Sequence, residues 1–253
     1  MSKAETVARQ RYRNRVEDLE RHLEVVDASL ALLGSIETTS ESDPIAQVIG
    51  SNTKKYPRLN EPFSRVAAVV AHARYNNSSM AVAQLYGFMS EYMREVLGLL
   101  YAYKPMLVVG KAPALAQLRY HEIVSLGSWT ALSERIVNDV FRSLEEERST
   151  KTLIRKVIAK TGADVPSGVL KDAIVFLEMR HLIVHKQGMI DDQFAKAFSK
   201  DASRLTGLKK ELFEKDQKLP LRYVLTRAAI QRVGLLVARI DGELLREGVV
   251  QAR

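Results

Sequence analysis

The chain contains no cysteine, which excludes a disulfide framework, thiolate metal ligands and thiol catalysis. Aromatic residues make up only 7% of the 253 positions, and tryptophan occurs once. Proline and glycine are sparse, 7 and 13 residues, so long helices can run with few breakers. No apolar run has the length and purity of a membrane span: the most apolar stretch, Met80 to Tyr103, is interrupted by Glu91, Arg94 and Glu95. The N-terminus lacks a signal-peptide pattern. Together with the compatibility of a cysteine-free chain with a reducing compartment, these absences predict a soluble, cytoplasmic protein. Acidic charge is also in deficit, with 38 Lys and Arg against 30 Asp and Glu, a formal net charge of +8. That balance favours polyanionic partners such as RNA, although solvated surface lysines give the same count.

Period-two alternation is missing as well, and period 3.6 dominates, which predicts an all-α protein. Tyr12, Val16, Leu19, Leu23, Val26, Leu30 and Leu33 form a seven-residue seam, so residues 3 to 36 are expected as one helix. Arg9, Arg11, Arg13, Arg15 and Arg21 crowd its first half, giving either an RNA-touching or dimerising arm or a helix packed on its own domain. Thr38 to Pro62 has no period and reads as a long connection. Phe63 to Arg74 and Ser78 to Tyr103 read as two helices. Pro105 to Pro113 is the expected boundary between an N-terminal helical region, 1–110, and a second region, 111–253. The sequence Gly110-Lys111-Ala112 fails as a phosphate loop, because no glycine lies five residues before Gly110 and alanine replaces the required Ser or Thr.

Beyond the boundary, Leu126, Trp129, Leu132, Ile136, Val140 and Leu144 predict a long helix over Pro113 to Glu147, with Ser133, Glu134 and Asn138 beside the stripe. Thr150 to Lys160 predicts a short basic helix whose Lys151, Arg155, Lys156 and Lys160 would track RNA phosphates. Met189 to Leu219 reads as one or two irregular helices, with Lys209 and Lys210 as further phosphate contacts. Leu221, Leu225, Ala229, Val233, Leu236, Ile240 and Leu244 stripe a closing helix.

The segment Glu178 to Gly188 carries costly polar groups in what is otherwise a core helix. Val169, Ala173, Phe176 and Ile183 form an apolar row interrupted by Arg180, and Leu170, Ile174, Leu177 and Val184 form a row containing His181. Arginine is rarely buried unless paired, so Arg180 predicts a polar cavity or a partner chain. Ser167 is the expected N-cap and Gly188 the expected stop, which puts His185 in the last turn.

Arg180, four intervening residues and His185, with a polar residue directly after the arginine and a hydrophobic helix around both, resemble the signature of the HEPN superfamily of helical bundles. The residue after the arginine is often Asn or Asp in that family and is His181 here. The resemblance covers about residues 112 to 248 and is silent on the first 110. It implies a HEPN-like bundle that cleaves RNA without metal or cofactor and leaves 2′,3′-cyclic phosphate and 5′-hydroxyl ends. The residue types suit that chemistry. A histidine titrates near neutral pH and can take or give a proton, and a guanidinium can hold the scissile phosphate. Arg180, His185 and His181 are the expected site, with Glu134 opposite them in a supporting role.

Residues five apart on an α-helix point about 140° from each other with about 7.5 Å of rise, so one helix does not close Arg180 and His185 onto one phosphate. Either the helix unwinds near Val184 or a second copy completes the site, and the resemblance favours a homodimer joined through the motif helix. It also implies a toxin or antiviral-defence role restrained by an antitoxin or regulatory protein. Other readings stand beside it. Arg180 and Glu178 could form a structural ion pair, with His185 a C-terminal cap on the helix dipole. The whole could be a catalytically silent interaction module or an RNA-binding sensor without hydrolysis. Glu178, His181 and His185 have a metal-ligand spacing, but a di-iron bundle needs two Glu-x-x-His elements and the sequence holds one.

Overall fold

A computed structural model describes residues 5–38, 41–51, 54–109, 118–145 and 150–248. About 79% of the chain is helical, and the described residues contain no strand, only isolated bridges between Pro44 and Pro62 and between Met189 and Lys218. The all-α expectation holds. The helices are α1 (Val7–Gly34), α2 (Ile45–Val48), α3 (Val66–Tyr103), α4 (Pro105–Val109), α5 (Tyr120–Leu126), α6 (Trp129–Glu145), α7 (Thr150–Thr161), α8 (Ser167–Lys186), α9 (Asp192–Thr206) and α10 (Tyr223–Arg246). Among the described residues none is long and apolar enough to cross a membrane.

Helix α1 begins at Thr6, whose hydroxyl accepts the Arg9 N–H, and it packs on α3 and α10. Tyr12, Val16, Leu19 and Leu23 of its seam are buried, whereas Val26, Leu30 and Leu33 are half-buried. The first half of the seam is therefore used inside the molecule. Its arginines are also occupied: Arg9 meets Asp241 and Glu5, Arg11 meets Glu95, Arg13 meets Glu5 and Glu17, Arg15 meets Glu91, and Arg21 meets Asp18. Surface ion pairs of this kind add little stability, but they cancel the charge that a phosphate-binding arm would need.

Where the sequence predicts two helices, α3 is one helix of 38 residues, about 57 Å long. Asn76, Asn77, Ser78 and Ser79 have weak helix propensity, yet Ser78 is buried in the bundle and the Ser79 hydroxyl donates to the Tyr75 carbonyl within the helix. Packing overrides propensity here. Helices α1, α6, α7, α8 and α10 all lie against α3, and one contiguous core runs from Ala8 to Leu244. The boundary expected near residue 110 therefore does not separate two cores. Residues 110–117 lie outside the described residues, and α4 just before them is held in the bundle by its buried Val108.

The long helix expected over Pro113 to Glu147 is two, α5 and α6, divided by Gly127 in the left-handed region at φ +67°; residues 113–117 and 146–147 lie outside the described residues. The stripe rotates with the break, so that Val137, Val140, Phe141 and Leu144 are buried while Trp129 is 70% exposed.

Asp241 ties the two ends of the chain together. It is buried in α10 and accepts from the Thr6 backbone N–H at 3.1 Å and from the Thr6 hydroxyl. Burial raises its carboxyl pKa, against the opposing hydrogen bonds from Thr6 and the Arg9 charge. A carboxyl raised on folding contributes most below its unfolded pKa, and that contribution is lost as pH rises through the folded value. Asp241→Asn, which cannot ionise, should therefore gain in melting temperature relative to the natural chain as pH is raised from the ordinary carboxylate range toward neutrality. Thermal melts across that range check the sign.

Candidate functional site

Helix α8 carries the motif and is regular from Ser167 to Lys186, with Pro166 rather than Ser167 at the N-cap. Ala173, Ile174, Phe176 and Leu177 of the apolar rows are buried and Val169, Leu170 and Ile183 half-buried, so the rows face the core over most of their length, whereas Val184 at the end of the second row is exposed. The helix does not unwind near Val184, which removes the first of the two ways of closing the site. It ends in a tight reversal in which Gln187 has φ 54°, Gly188 has φ +80°, and the Gly188 N–H donates to the Leu182 carbonyl at 2.9 Å. The Leu219 N–H then donates to the Gly188 carbonyl at 2.8 Å, and Tyr75 of α3 lies against the glycine.

Arg180 leaves α8 toward α3, where its guanidinium lies over the Tyr86 ring, 4.8 Å from the centroid. No carboxylate pairs with it among the described residues. The ion pair with Glu178 does not form: Glu178 lines a cavity with Lys151 and His181, away from the Tyr86 ring that holds the guanidinium. Burial pushes the Glu178 carboxyl pKa up, with the Lys151 N–H and the neighbouring His181 opposing that shift. A cation held on an aromatic face, with no carboxylate at its fork, keeps its planar donors for an anion.

His181 and His185 are exposed on the adjoining face, their rings 4.9 Å apart between centroids and tilted by 45°. The pair places two imidazoles together beside Lys186 at the C-terminal end of α8. Within one chain Arg180 and His185 diverge, as their five-residue spacing requires. Among the described residues no three His, Asp or Glu side chains converge as metal ligands.

The supporting residues are distributed differently from expectation. Glu134 does not stand opposite Arg180: with Ser133 and Asn138 it lines a groove of about 730 Å³ against Arg94, Glu95 and Tyr101. Arg94 and Tyr101 follow Tyr86 along α3 by about 12 and 22 Å, which separates that groove from the motif. The break at Gly127 and the packing of α6 on the far half of α3 put it there.

Of the basic residues of α7, Lys151 is exposed at the edge of a cavity shared with Glu178 and His181. Arg155 and Lys156 are exposed along the outer face. Lys160 is no phosphate contact: its ammonium donates to the Val108 carbonyl at 2.6 Å, and partial burial lowers its pKa. Lys160→Met should therefore cost about 1 kcal/mol of stability, since it leaves that carbonyl unpaired. Under an RNA-binding reading it should leave the salt dependence of binding unchanged, whereas loss of a true phosphate contact reduces the slope by about one. Denaturant unfolding and binding at several salt concentrations separate the two roles. Lys209 and Lys210 are exposed before Phe213.

Sequence reasoning missed Tyr86, Tyr75 and the cavity wall formed by Phe194 and Phe198. No local signal marks the two tyrosines, which reach the motif only because α3 crosses α8. Comparison of the chain with protein-family models, with curated proteins and with solved structures found no match.

Proposed function

We propose that the protein is a metal-independent endoribonuclease of the HEPN type, acting as a two-fold homodimer in which Arg180 of one copy and His185 of the other address the same phosphate. The observation that carries this reading is the set toward the end of α8: an arginine over Tyr86 with no carboxylate partner among the described residues, and two exposed imidazoles on the adjoining face. Chemically, a neutral imidazole takes the proton of a ribose 2′-hydroxyl, and the 2′-oxygen attacks phosphorus. The bond to the 5′-oxygen breaks, and that oxygen receives a proton from a second, protonated imidazole. Arg180 stabilises the added negative charge on the phosphoryl oxygens. No water is consumed, and the ends are 2′,3′-cyclic phosphate and 5′-hydroxyl.

An antitoxin-like partner belongs to this reading, since an unrestrained ribonuclease is harmful to its own cell. Tyr103, Met106, Tyr120, Val124 and Trp129 are exposed apolar side chains, of the kind that such a partner would cover. One observation favours the rival, a catalytically silent HEPN-like interaction module: Arg180 and His185 do not converge within one chain. The test is incubation of the purified protein with total RNA and transfer RNA in EDTA, with the fragment ends mapped and the mass in solution measured by light scattering. Cleavage with cyclic-phosphate ends by a dimer supports the nuclease. A monomer that cuts RNA removes the shared site, and intact RNA across both substrates moves the weight to the module.

A further inference from the structure

Directly beside the motif, α7, α8 and α9 enclose a cavity of about 260 Å³ lined by Lys151, Glu178, His181, Asp191, Phe194 and Phe198. This is smaller than the roughly 300–1,000 Å³ of pockets that hold drug-sized ligands, so it suits a single heterocycle. Its chemistry is uneven. One wall is aromatic, with the Phe194 and Phe198 rings 5.4 Å apart between centroids. The rest presents two carboxylates, Glu178 and Asp191, of which Asp191 Oδ1 accepts from the Phe194 N–H at 2.8 Å. A carboxylate has two oxygens and about four lone-pair sites, so both retain acceptors for a ligand. An anion would be repelled, and a flat apolar ring without donors would leave the carboxylates dry and unpaired. A flat ring with a donor edge satisfies both walls. His181 joins this cavity to the motif, because it lines the cavity and its ring is 4.9 Å from that of His185.

We propose that this cavity is a base-recognition pocket that selects guanine in the nucleotide beside the scissile phosphate, an inference that rests on the nuclease reading of Arg180 and His185. Guanine presents adjacent N1–H and N2-amino donors, which match the two oxygens of one carboxylate. Adenine and cytosine offer one amino group next to an acceptor. Uracil offers one N–H between two carbonyls, both of which face the carboxylate unfavourably. Glu178 reads the donor edge, the half-buried Phe198 stacks on the base, and Lys151 at the rim meets the phosphate. Stacking on an aromatic ring is tolerant of base identity, so the selectivity resides in Glu178.

Calorimetric titration of the full chain with the 3′-monophosphates of guanosine, adenosine, cytidine and uridine tests this without requiring turnover. The guanosine nucleotide should bind about tenfold or more tighter than the others, the discrimination expected of a bidentate edge contact. Glu178→Gln replaces an acceptor with a donor and should erase the preference, whereas Phe198→Ala should weaken all four alike. Equal binding, no binding, or a preference that survives Glu178→Gln overturns the proposal. If Glu178→Gln does not fold, the His181 ring protons of the natural chain decide by NMR: they shift with the guanosine nucleotide, and their failure to move overturns it. A guanine preference without RNA cleavage retains the pocket and rejects the nuclease, while cleavage without the preference does the reverse.

Discussion

Mixing the Arg180→Ala and His185→Ala proteins is expected to restore RNA cleavage that neither has alone. Each variant by itself should lose about 10²–10⁴-fold in rate, the range for removal of a general acid or base or of a transition-state charge partner. The recovery follows from the geometry of α8, which stays helical through both residues and ends only at Lys186. Arg180 turns to Tyr86 and His185 to His181, so under the proposed nuclease reading the working pair comes from two copies. In a mixed dimer one of the two composite sites keeps both natural residues. With random exchange half of the dimers are mixed, and cleavage should return to about a quarter of the natural rate. Recovery of that order, measured on a fluorescent RNA after subunit exchange, establishes the shared site. Zero recovery from two folded, exchanging dimers places both residues in one chain's site and removes the proposed arrangement.

Gly188→Ala should be the most damaging small substitution in the motif region. At φ +80° a side chain costs roughly 1–2 kcal/mol, and a Cβ here would collide with the Tyr75 hydroxyl. Relieving the collision means displacing the Tyr75 ring at the expense of its contact with the ammonium of Lys218, 4.1 Å above the ring centroid. Overpacking adds about 1–3 kcal/mol, for a total near 2–5 kcal/mol, and in a chain of this size the melting temperature should fall by roughly 5–15 °C. Combining Gly188→Ala with Tyr75→Phe removes the colliding oxygen but not the backbone strain. The double variant should therefore recover part of the loss, and full recovery or none would show that only one of the two causes operates.

Much of the fold was legible because helical periodicity is a local signal. The first half of the α1 stripe, most of the α8 rows and the α10 stripe mark buried faces, and Gly188 alone marks the helix end that puts His185 in the last turn. The errors lie where distant packing decides. Ser78 and Ser79 look like a helix start, yet α3 passes through them because its neighbours bury that segment. Trp129 sits in an apolar stripe but is exposed, because the left-handed turn at Gly127 starts a new helix with a different phase. One uninterrupted helix would set Glu134 across from Arg180, and the same turn sends it to another groove. Lys160 looked like its basic neighbours, and only the nearness of Val108, 52 positions earlier, gives it a structural bond. The divergence of Arg180 from His185 was readable from their spacing, whereas Tyr86 beneath the guanidinium was not, since nothing in α3 announces what crosses it.

The shared core has a consequence for inheritance. Residues from Ala8 to Leu244 contribute to one cluster, and α10 supplies Leu225, Val233, Leu236, Val237, Ile240 and Leu244 to it. A stop codon that removes α10 leaves the buried faces of α3 and α8 uncovered, even though Arg180 and His185 are still encoded. Nonsense and frameshift alleles upstream of that helix should therefore behave genetically as complete nulls, indistinguishable from deletion of the gene, rather than as alleles that retain a working motif and lose only an appendage.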